Sequence, residues 1–492
     1  MKKKWFAWAV IAFTYAASGA LTAPTARPVQ RTLAALEAST AERPARVRIL
    51  FYGQSIVGQR WHTRVVAELK KRYPTALLEV ENRAIGGFTS ESLIRTAESD
   101  LYPYYPDLLF FHVYGSTKKY EEIIRKVRAV TTAEIVLWTS HLDRKECIDR
   151  KTIEGLLAKP DARSREILSI AARYGCLAVD LRKKWCRKML ETGLGPDDLL
   201  ADSIHLKKDG AGMTWYPEFL VEELVRLAGQ AGEPAYSGKI EEIPVTDPRV
   251  HRAKDGSLTL SFTGNRVVAV SDGKGQGAAS VLLDRRNPAD FSEMFYTTRP
   301  SKLISWMPII KHVDRLPSAQ PIAEDWTLTY LPGTAPYGNP ILYKVAGSVT
   351  GTDGEGCNTN DFVSISGRAV IRASDFHTWQ YGYFVKNRIE AEIAAEKAAA
   401  EKAAREGGAK AADASGKESK KKSAREKMAK PGQTVTWSVK PLFTDPYVPT
   451  EKAVRTVLVQ NCANGPHVLT VKPGISGRVG VQSFIVYTPA GE

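Results

Sequence analysis

Apolar positions along the chain fall into two textures that meet between residues 230 and 240. In the first, short apolar runs alternate with stretches of helical spacing. Residues 47–52 form a run ending at Gly53, after which Trp61, Val65, Val66 and Leu69 recur on one helical face closed by Pro74. Further runs occupy 77–80, 107–113 (DLLFFHV), 135–138 and 177–181. The run at 107–113 is apolar almost throughout, as expected of a strand covered on both faces. Helical patterns lie between the runs, at Ile123, Ile124, Val127 and Val130 and near 163–174, and after them near 212–228. Strand–helix alternation predicts an α/β domain over 46–230, a parallel sheet with helices on both faces.

From about residue 240 the texture changes. Runs such as SLTLSF, RVVAVS, WTLTYL, TVTWSV and SFIVYTP alternate with Gly, Asn, Asp and Pro. This predicts an antiparallel β-sandwich over 240–492, jelly-roll-like in type. One stretch interrupts it. Residues 389–430 are rich in Ala, Glu and Lys and lack aromatics; the first half has helix propensity and the second is a lysine-rich segment too polar to bury a core. It reads as an insertion in a surface loop, either a solvated excursion or an electrostatic arm for an anionic polymer.

The N-terminus adds an address. Lys2, Lys3 and Lys4 precede an apolar run beginning at Trp5 that fades into Ala16, Ala17, Ser18, Gly19 and Ala20, with no charge until Arg27. That gradient predicts a signal peptide over 1–23 and a secreted or periplasmic protein. The rival, an uncleaved anchor, needs about 20 apolar residues. No later segment is apolar enough to span a bilayer, so no stable membrane span is expected after cleavage. Residues 24–45, rich in Pro, Ala and Thr, read as a linker. The chain carries 69 basic and 54 acidic residues, net +15, which favours acidic partners or reflects solvated tails. Basic residues are not interleaved with aromatics in a recognisable motif, so no nucleic-acid partner is expected. Five cysteines permit one bridge, Cys357–Cys462, or buried free thiols; none has metal-ligand spacing.

Two short segments carry chemistry. Phe51-Tyr52-Gly53-Gln54-Ser55 puts a hydroxyl at the C-terminal end of the first strand, the edge where open parallel sheets bind ligands. Asp202-Ser203-Ile204-His205 precedes the last helix. A carboxylate three residues before an imidazole can hold one ring nitrogen while the other takes a proton from serine. Asp180, ending the fifth run, reads as a helix cap.

Together these segments resemble the SGNH (GDSL-like) hydrolase family over roughly 45–230. Gly53-Gln54-Ser55 is similar to its first block, with Gln where Asp is usual. Asn82 to Thr89 (NRAIGGFT) resembles the second block, and Asp202-x-x-His205 the last. The resemblance implies a three-layer, flavodoxin-like α/β/α domain and a serine esterase with Ser55 as nucleophile, His205 as base and Asp202 behind it. It implies an oxyanion hole built from the N–H groups of Ser55 and Gly87, and no metal or organic cofactor. The third block departs: the family's Gly-x-Asn-Asp is replaced by Tyr114-Gly115-Ser116-Thr117, which puts Ser116 near the place of the missing Asn donor. Tyr52, Phe88 and Tyr114, with Trp61 and His62, are candidate pocket walls; His112 reads as a buried strand histidine.

Exported members with an appended β-domain point to an acetylated polysaccharide, acidic if the charge is used, as substrate. Trp306, Trp326, Trp379 and Trp437 are then candidates to stack on sugar rings or to fill the β core. Two other readings stay open: a lipase, aryl esterase or thioesterase with the same triad, and a non-catalytic glycan-binding protein.

Overall fold

The computed structural model describes residues 27–377 and 430–491, apart from 148, 231, 237, 275–276, 304–305, 336–338, 452–453 and 476, together with scattered helical positions between 390 and 401. The expected signal peptide and most of the 389–430 insertion lie outside the described residues.

The α/β domain is built on five strands: β1 (Arg46–Gly53), β2 (Leu77–Asn82), β3 (Leu108–His112), β4 (Glu134–Trp138) and β5 (Leu177–Val179). They are parallel, in the order β2-β1-β3-β4-β5, the doubly wound order in which the topological switch lies beside β1. Side-chain alternation along β1 and its neighbours separates two cores. Ile49, Phe51, Phe110, Val136 and Trp138 face one way. They pack under α1 (Gln30–Glu37), α3 (His62–Arg72), α8 (Leu181–Thr192) and α10 (Gly212–Leu227). Leu50, Tyr52, Leu109, Phe111, Ile135 and Leu137 face the other way. Those residues lie under α4 (Ser90–Asp100), α5 (Thr117–Val130) and α7 (Ala162–Arg173). The period of two in a strand covered on both faces is why β3 and β4 are buried at every position.

Residues 24–45 are not simply a linker. Within them α1 buries Leu33 and Leu36 in the first core. Its N-terminus is held by Glu134, which accepts from the N–H groups of Arg31 (3.0 Å) and Thr32 (2.7 Å), a carboxylate at the positive end of a helix.

The β-rich half contains two antiparallel units with separate cores. The first holds Lys239–Pro244, Val250–Arg252, Leu258–Ser271, Ala279–Leu283, Arg455–Pro473 and Val481–Thr488 around one core. Its two long strands, Leu258–Ser271 and Arg455–Pro473, pair along most of their length and share a register shift between Gln460 and Gly465. Opposite the shift, Gly264 has φ +155°, and a Cβ there would lie 2.3 Å from the Tyr487 carbonyl oxygen. The shift bends the two long strands where they pass Gly264. The second unit is inserted between Ala279–Leu283 and Arg455–Pro473. It comprises a five-stranded sheet whose centre is Thr434–Pro441, Glu324–Tyr330 and Leu342–Gly347, with a small hairpin, around its own core. The five cysteines are free thiols: Cys462 is in the sandwich core, and Cys357 contacts Thr359 in the inserted unit, so the Cys357–Cys462 bridge is not formed. No described helix is long and apolar enough to cross a membrane.

The two halves meet along a polar seam. Arg95 of α4 reaches Asp314 (2.6 Å) and Asp375 (2.7 Å), and Arg299 reaches Asp100 (2.6 Å). Tyr105 packs with Val268, Ile485 and Tyr487, and its hydroxyl donates to Asn265 (2.9 Å).

Candidate active site

Ser55 opens the one-turn helix α2 (Ser55–Gly58) directly after β1. The turn that exposes it depends on Gly53, whose φ is +152° and where a Cβ would lie 2.0 Å from the His112 carbonyl oxygen. No side chain fits there, so β1 can pass flush against β3 and turn sharply into α2. Trp61 donates to the Ile56 carbonyl (2.7 Å) and Asn82 to the Val57 carbonyl (2.8 Å), fixing α2 from two sides.

His205 arrives from the loop before α10. Its Nε2 lies 2.7 Å from Ser55 Oγ and its Nδ1 2.8 Å from Asp202 Oδ2. Asp202 Oδ1 meanwhile accepts from the N–H groups of Ile204 (2.9 Å) and His205 (2.8 Å), so the carboxylate ties its own loop into a turn. Partial burial works to raise the Asp202 pKa. The backbone N–H bonds and the bond from the His205 ring oppose it and hold the carboxyl at about 2. It is therefore ionised across the neutral range, as a group that stabilises an imidazolium must be. The pair opens to solvent: the His205 and Asp202 side chains are 37% and 55% exposed.

Three further residues hold this loop. Gln59, one turn past Ser55, donates to the Leu206 carbonyl (2.8 Å) and accepts from the Leu206 N–H (3.1 Å), clamping the Ser55 segment to the His205 segment. His141, buried beyond β4, contacts the Ile204 carbonyl through Nε2 (2.7 Å) and the Tyr216 hydroxyl through Nδ1 (3.2 Å). Arg144 gives its backbone N–H to the Ser203 carbonyl (2.8 Å) and its Nε to that of Asp202 (3.2 Å). Sequence reading missed all three roles; a glutamine four residues after Ser55 was the available signal for Gln59.

The second block forms a tight turn beside Ser55. Phe88 N–H donates to the Ile85 carbonyl (3.2 Å), Gly87 has φ +84°, and a Cβ on Gly86 would stand 3.6 Å from the Ser55 Cβ. The N–H groups of Ser55 and Gly87 are the candidate oxyanion donors in this corner.

Other expected site residues have structural partners of their own. Ser116 is the N-cap of α5, its hydroxyl accepting from Lys119 N–H (3.3 Å) while its own N–H donates to Glu91 (2.9 Å). It caps the helix through that hydroxyl oxygen. Tyr52 is fully buried, donating to the Leu93 carbonyl (3.0 Å), and Phe88 and Trp61 are core residues as well. Both faces of the sheet are roofed by helices, so aromatic side chains on or near β1 point into cores rather than into the cleft. Tyr114 is half-buried against the ring of His112, and His62 is occupied by Asn82 (3.0 Å). Burial pushes His112 down to about 3. Asp180 caps α8, accepting from Lys183 N–H (3.1 Å). Trp326 and Trp437 stack on each other inside the inserted unit's core, whereas Trp306 is 46% exposed beside Gly86; Trp379 lies outside the described residues.

No protein-family model and no curated protein matches the chain. Solved structures do. One is a two-domain esterase active on acetylated mannans, 14% identical over 96% of this chain and 98% of that one, with a TM-score of 0.35. Another is an acetylxylan esterase from Geobacillus stearothermophilus, 22% identical over 36% of this chain and 94% of that one, with a TM-score of 0.29. A third is an alpha/beta hydrolase enzyme from the metagenome of Lake Arreo, Spain, 19% identical over 37% of this chain and 96% of that one, with a TM-score of 0.31.

Proposed function

We propose that the chain is an exported serine ester hydrolase of the SGNH type that removes acetyl groups from polysaccharide. The observation that carries this reading is the unbroken chain of contacts from Asp202 through His205 to Ser55 Oγ, with separations of 2.8 and 2.7 Å. His205 Nε2 takes the Ser55 proton as Oγ bonds to the ester carbonyl carbon. The electron pair displaced onto the carbonyl oxygen is stabilised by the N–H groups of Ser55 and Gly87. Collapse of the tetrahedral intermediate breaks the carbon–alkoxide bond, and the His205 proton goes to the departing sugar oxygen. Water deprotonated by His205 then attacks the acyl-enzyme, releases acetate and restores Ser55.

The shape of the corner supports acetate as the acyl group. The aromatics that would wall a long acyl channel, Tyr52, Phe88 and Trp61, are committed to cores, and the imidazole and its carboxylate face solvent. A short acyl group on a bulky, solvated alcohol suits such an open site. Export, carried by the N-terminal segment, would bring the enzyme to polysaccharide outside the cytoplasm.

The test is acetate release from a panel of acetylated xylans, mannans and pectins, together with labelling by a fluorophosphonate probe. Release from at least one polysaccharide, with labelling abolished in Ser55→Ala, is expected. A wild-type protein that neither labels nor releases acetate refutes the reading. Better turnover of long-chain than of acetyl p-nitrophenyl esters would overturn the choice of acyl group.

A further inference from the structure

The β-rich half contributes a residue to this corner. Trp306 Nε1 donates to the Gly86 carbonyl oxygen at 3.0 Å. Gly86 is pressed between the two halves: a Cβ built on it would be 3.3 Å from Trp306 Nε1 and 3.6 Å from Ser55 Cβ. The carbonyl that accepts the indole N–H belongs to the same peptide unit as the Gly87 N–H.

That peptide is the centre of a four-residue turn, Ile85 to Phe88, closed by the Phe88 N–H on the Ile85 carbonyl. Gly87, with φ +84°, is its third residue, and Gly86 is not among the positive-φ glycines. These are the marks of a type II turn. Such a turn interconverts with type I by flipping its central peptide, which reverses both the carbonyl and the N–H. With glycine at both central positions no side chain opposes the flip. A hydrogen bond on the Gly86 carbonyl does oppose it, and it also polarises the peptide, strengthening the N–H as a donor by about 10–30%.

The donor is itself well anchored. Met307 is buried in the second core of the α/β domain, Ile309 and Ile310 are in the core of the inserted β-unit, and the His377 ring lies 4.7 Å from that of Phe88. Trp306 thus sits on a segment pinned to both halves, with part of its indole left exposed above the nucleophile's turn.

We infer that Trp306 is a positioning residue for the hydrolase: its indole N–H locks the Gly86–Gly87 peptide in the orientation that offers the Gly87 N–H to the oxyanion. This rests on the ester-hydrolase reading above. It also means that the α/β domain does not hold a complete site by itself.

The test uses the full chain and p-nitrophenyl acetate, a substrate with no sugar to stack. Trp306→Phe keeps a ring and loses the N–H. A kcat about 5- to 10-fold below wild type is expected, with KM within about twofold, an unchanged pH profile and a slower fluorophosphonate labelling rate. Gly86→Ala attacks the same contact from the other side by bringing a methyl group against the indole N–H, and the same kcat-confined loss is expected. Thermal midpoints close to wild type establish that both variants are folded. Wild-type kcat in folded Trp306→Phe overturns the inference and leaves the hydrolase reading standing; so does a loss confined to KM, which would make the ring a platform only. If Trp306→Phe does not fold, Gly86→Ala decides alone, and wild-type kcat there overturns the inference. An inert wild-type protein refutes the hydrolase reading, and this inference with it.

Discussion

Serine, histidine and aspartate meet twice among the described residues. At the cleft, His205 presents Nε2 to Ser55 and Nδ1 to Asp202. At the seam between the halves, His312 presents Nδ1 to Ser99 of α4 (2.9 Å) and has Nε2 3.4 Å from Asp314. The side-chain types match, but three things differ. The seam imidazole is buried, and burial drives it down to about 4 despite the nearby carboxylates. Asp314 is already held by Arg95 (2.6 Å) and Arg372 (3.1 Å), so its charge is neutralised before it can serve an imidazolium. Ser99 lies within a helix, where its own N–H is committed to the helix ladder and is not available to an oxyanion. Composition alone therefore does not make a site; ring orientation and access separate the two clusters.

The sharpest way to break this comparison is to remove each serine in turn. Ser55→Ala is expected to lower kcat for acetyl ester hydrolysis by at least about 10⁴-fold. Ser99→Ala should leave kcat within about twofold and cost roughly 1–2 kcal/mol of stability, because a buried His312 nitrogen loses its partner. Turnover that follows Ser99 rather than Ser55 would reverse the assignment of the two clusters.

The seam's charges come next in size. Asp375 is 2% exposed on its side chain and faces Arg95 through both of its oxygens. Arg95→Met strands that carboxylate, and chemical denaturation should show a loss of about 3–5 kcal/mol. A midpoint unchanged from wild type would mean that the two halves are not held by this network.

The buried histidines then set an acid limit on stability. Burial lowers His312 and His141 to about 4 and His112 to about 3. The unfolded chain takes up these protons near pH 6.5, and the folded chain does not until about pH 4 at His312 and His141 and about pH 3 at His112. Stability from each is therefore complete above about 6.5 and is lost as pH falls toward 4, with a slope near 1.4 kcal/mol per pH unit per histidine. Urea midpoints measured between pH 7.5 and 4.5 should decline, and His312→Gln should reduce the slope by about one histidine's share. An identical slope in that variant would show that His312 does not titrate on unfolding.

What could be read from the sequence was whatever is local. The strands of the parallel sheet are continuous apolar runs because both faces are covered. Asp202-x-x-His205 is legible because three residues suffice to close the turn that joins them. The rest depends on distant partners. α1 reads as linker because its cap, Glu134, lies about a hundred positions away. Arg95 gives no hint of Asp375, 280 positions on. Nor does strand texture tell which runs share a sheet, so the inserted unit with its own core merges in sequence with the sandwich around it. Trp306 looks like any surface tryptophan until the fold sets it against Gly86.

His141 offers the finest test of how the cleft differs from the seam, because it is a buried histidine that serves the exposed one. The Ile204 carbonyl can only accept, so His141 Nε2 carries the proton and Nδ1 accepts from the Tyr216 hydroxyl. Burial keeps the ring neutral down to about pH 4, so this tautomer persists wherever the enzyme would work. The bond to Ile204 lands between Asp202 and His205 and holds their turn at the height of Ser55. His141→Asn shortens the side chain and withdraws that support. The expected result is a kcat about tenfold lower on p-nitrophenyl acetate, with KM and the pH profile unchanged. Slower fluorophosphonate labelling should accompany it, since in the proposed mechanism the same His205 deprotonates Ser55 in both reactions. If folded His141→Asn labels and turns over at the wild-type rate, the loop keeps its register through Asp202, Gln59 and Arg144 alone, and His141 is a packing residue of the kind found at the seam.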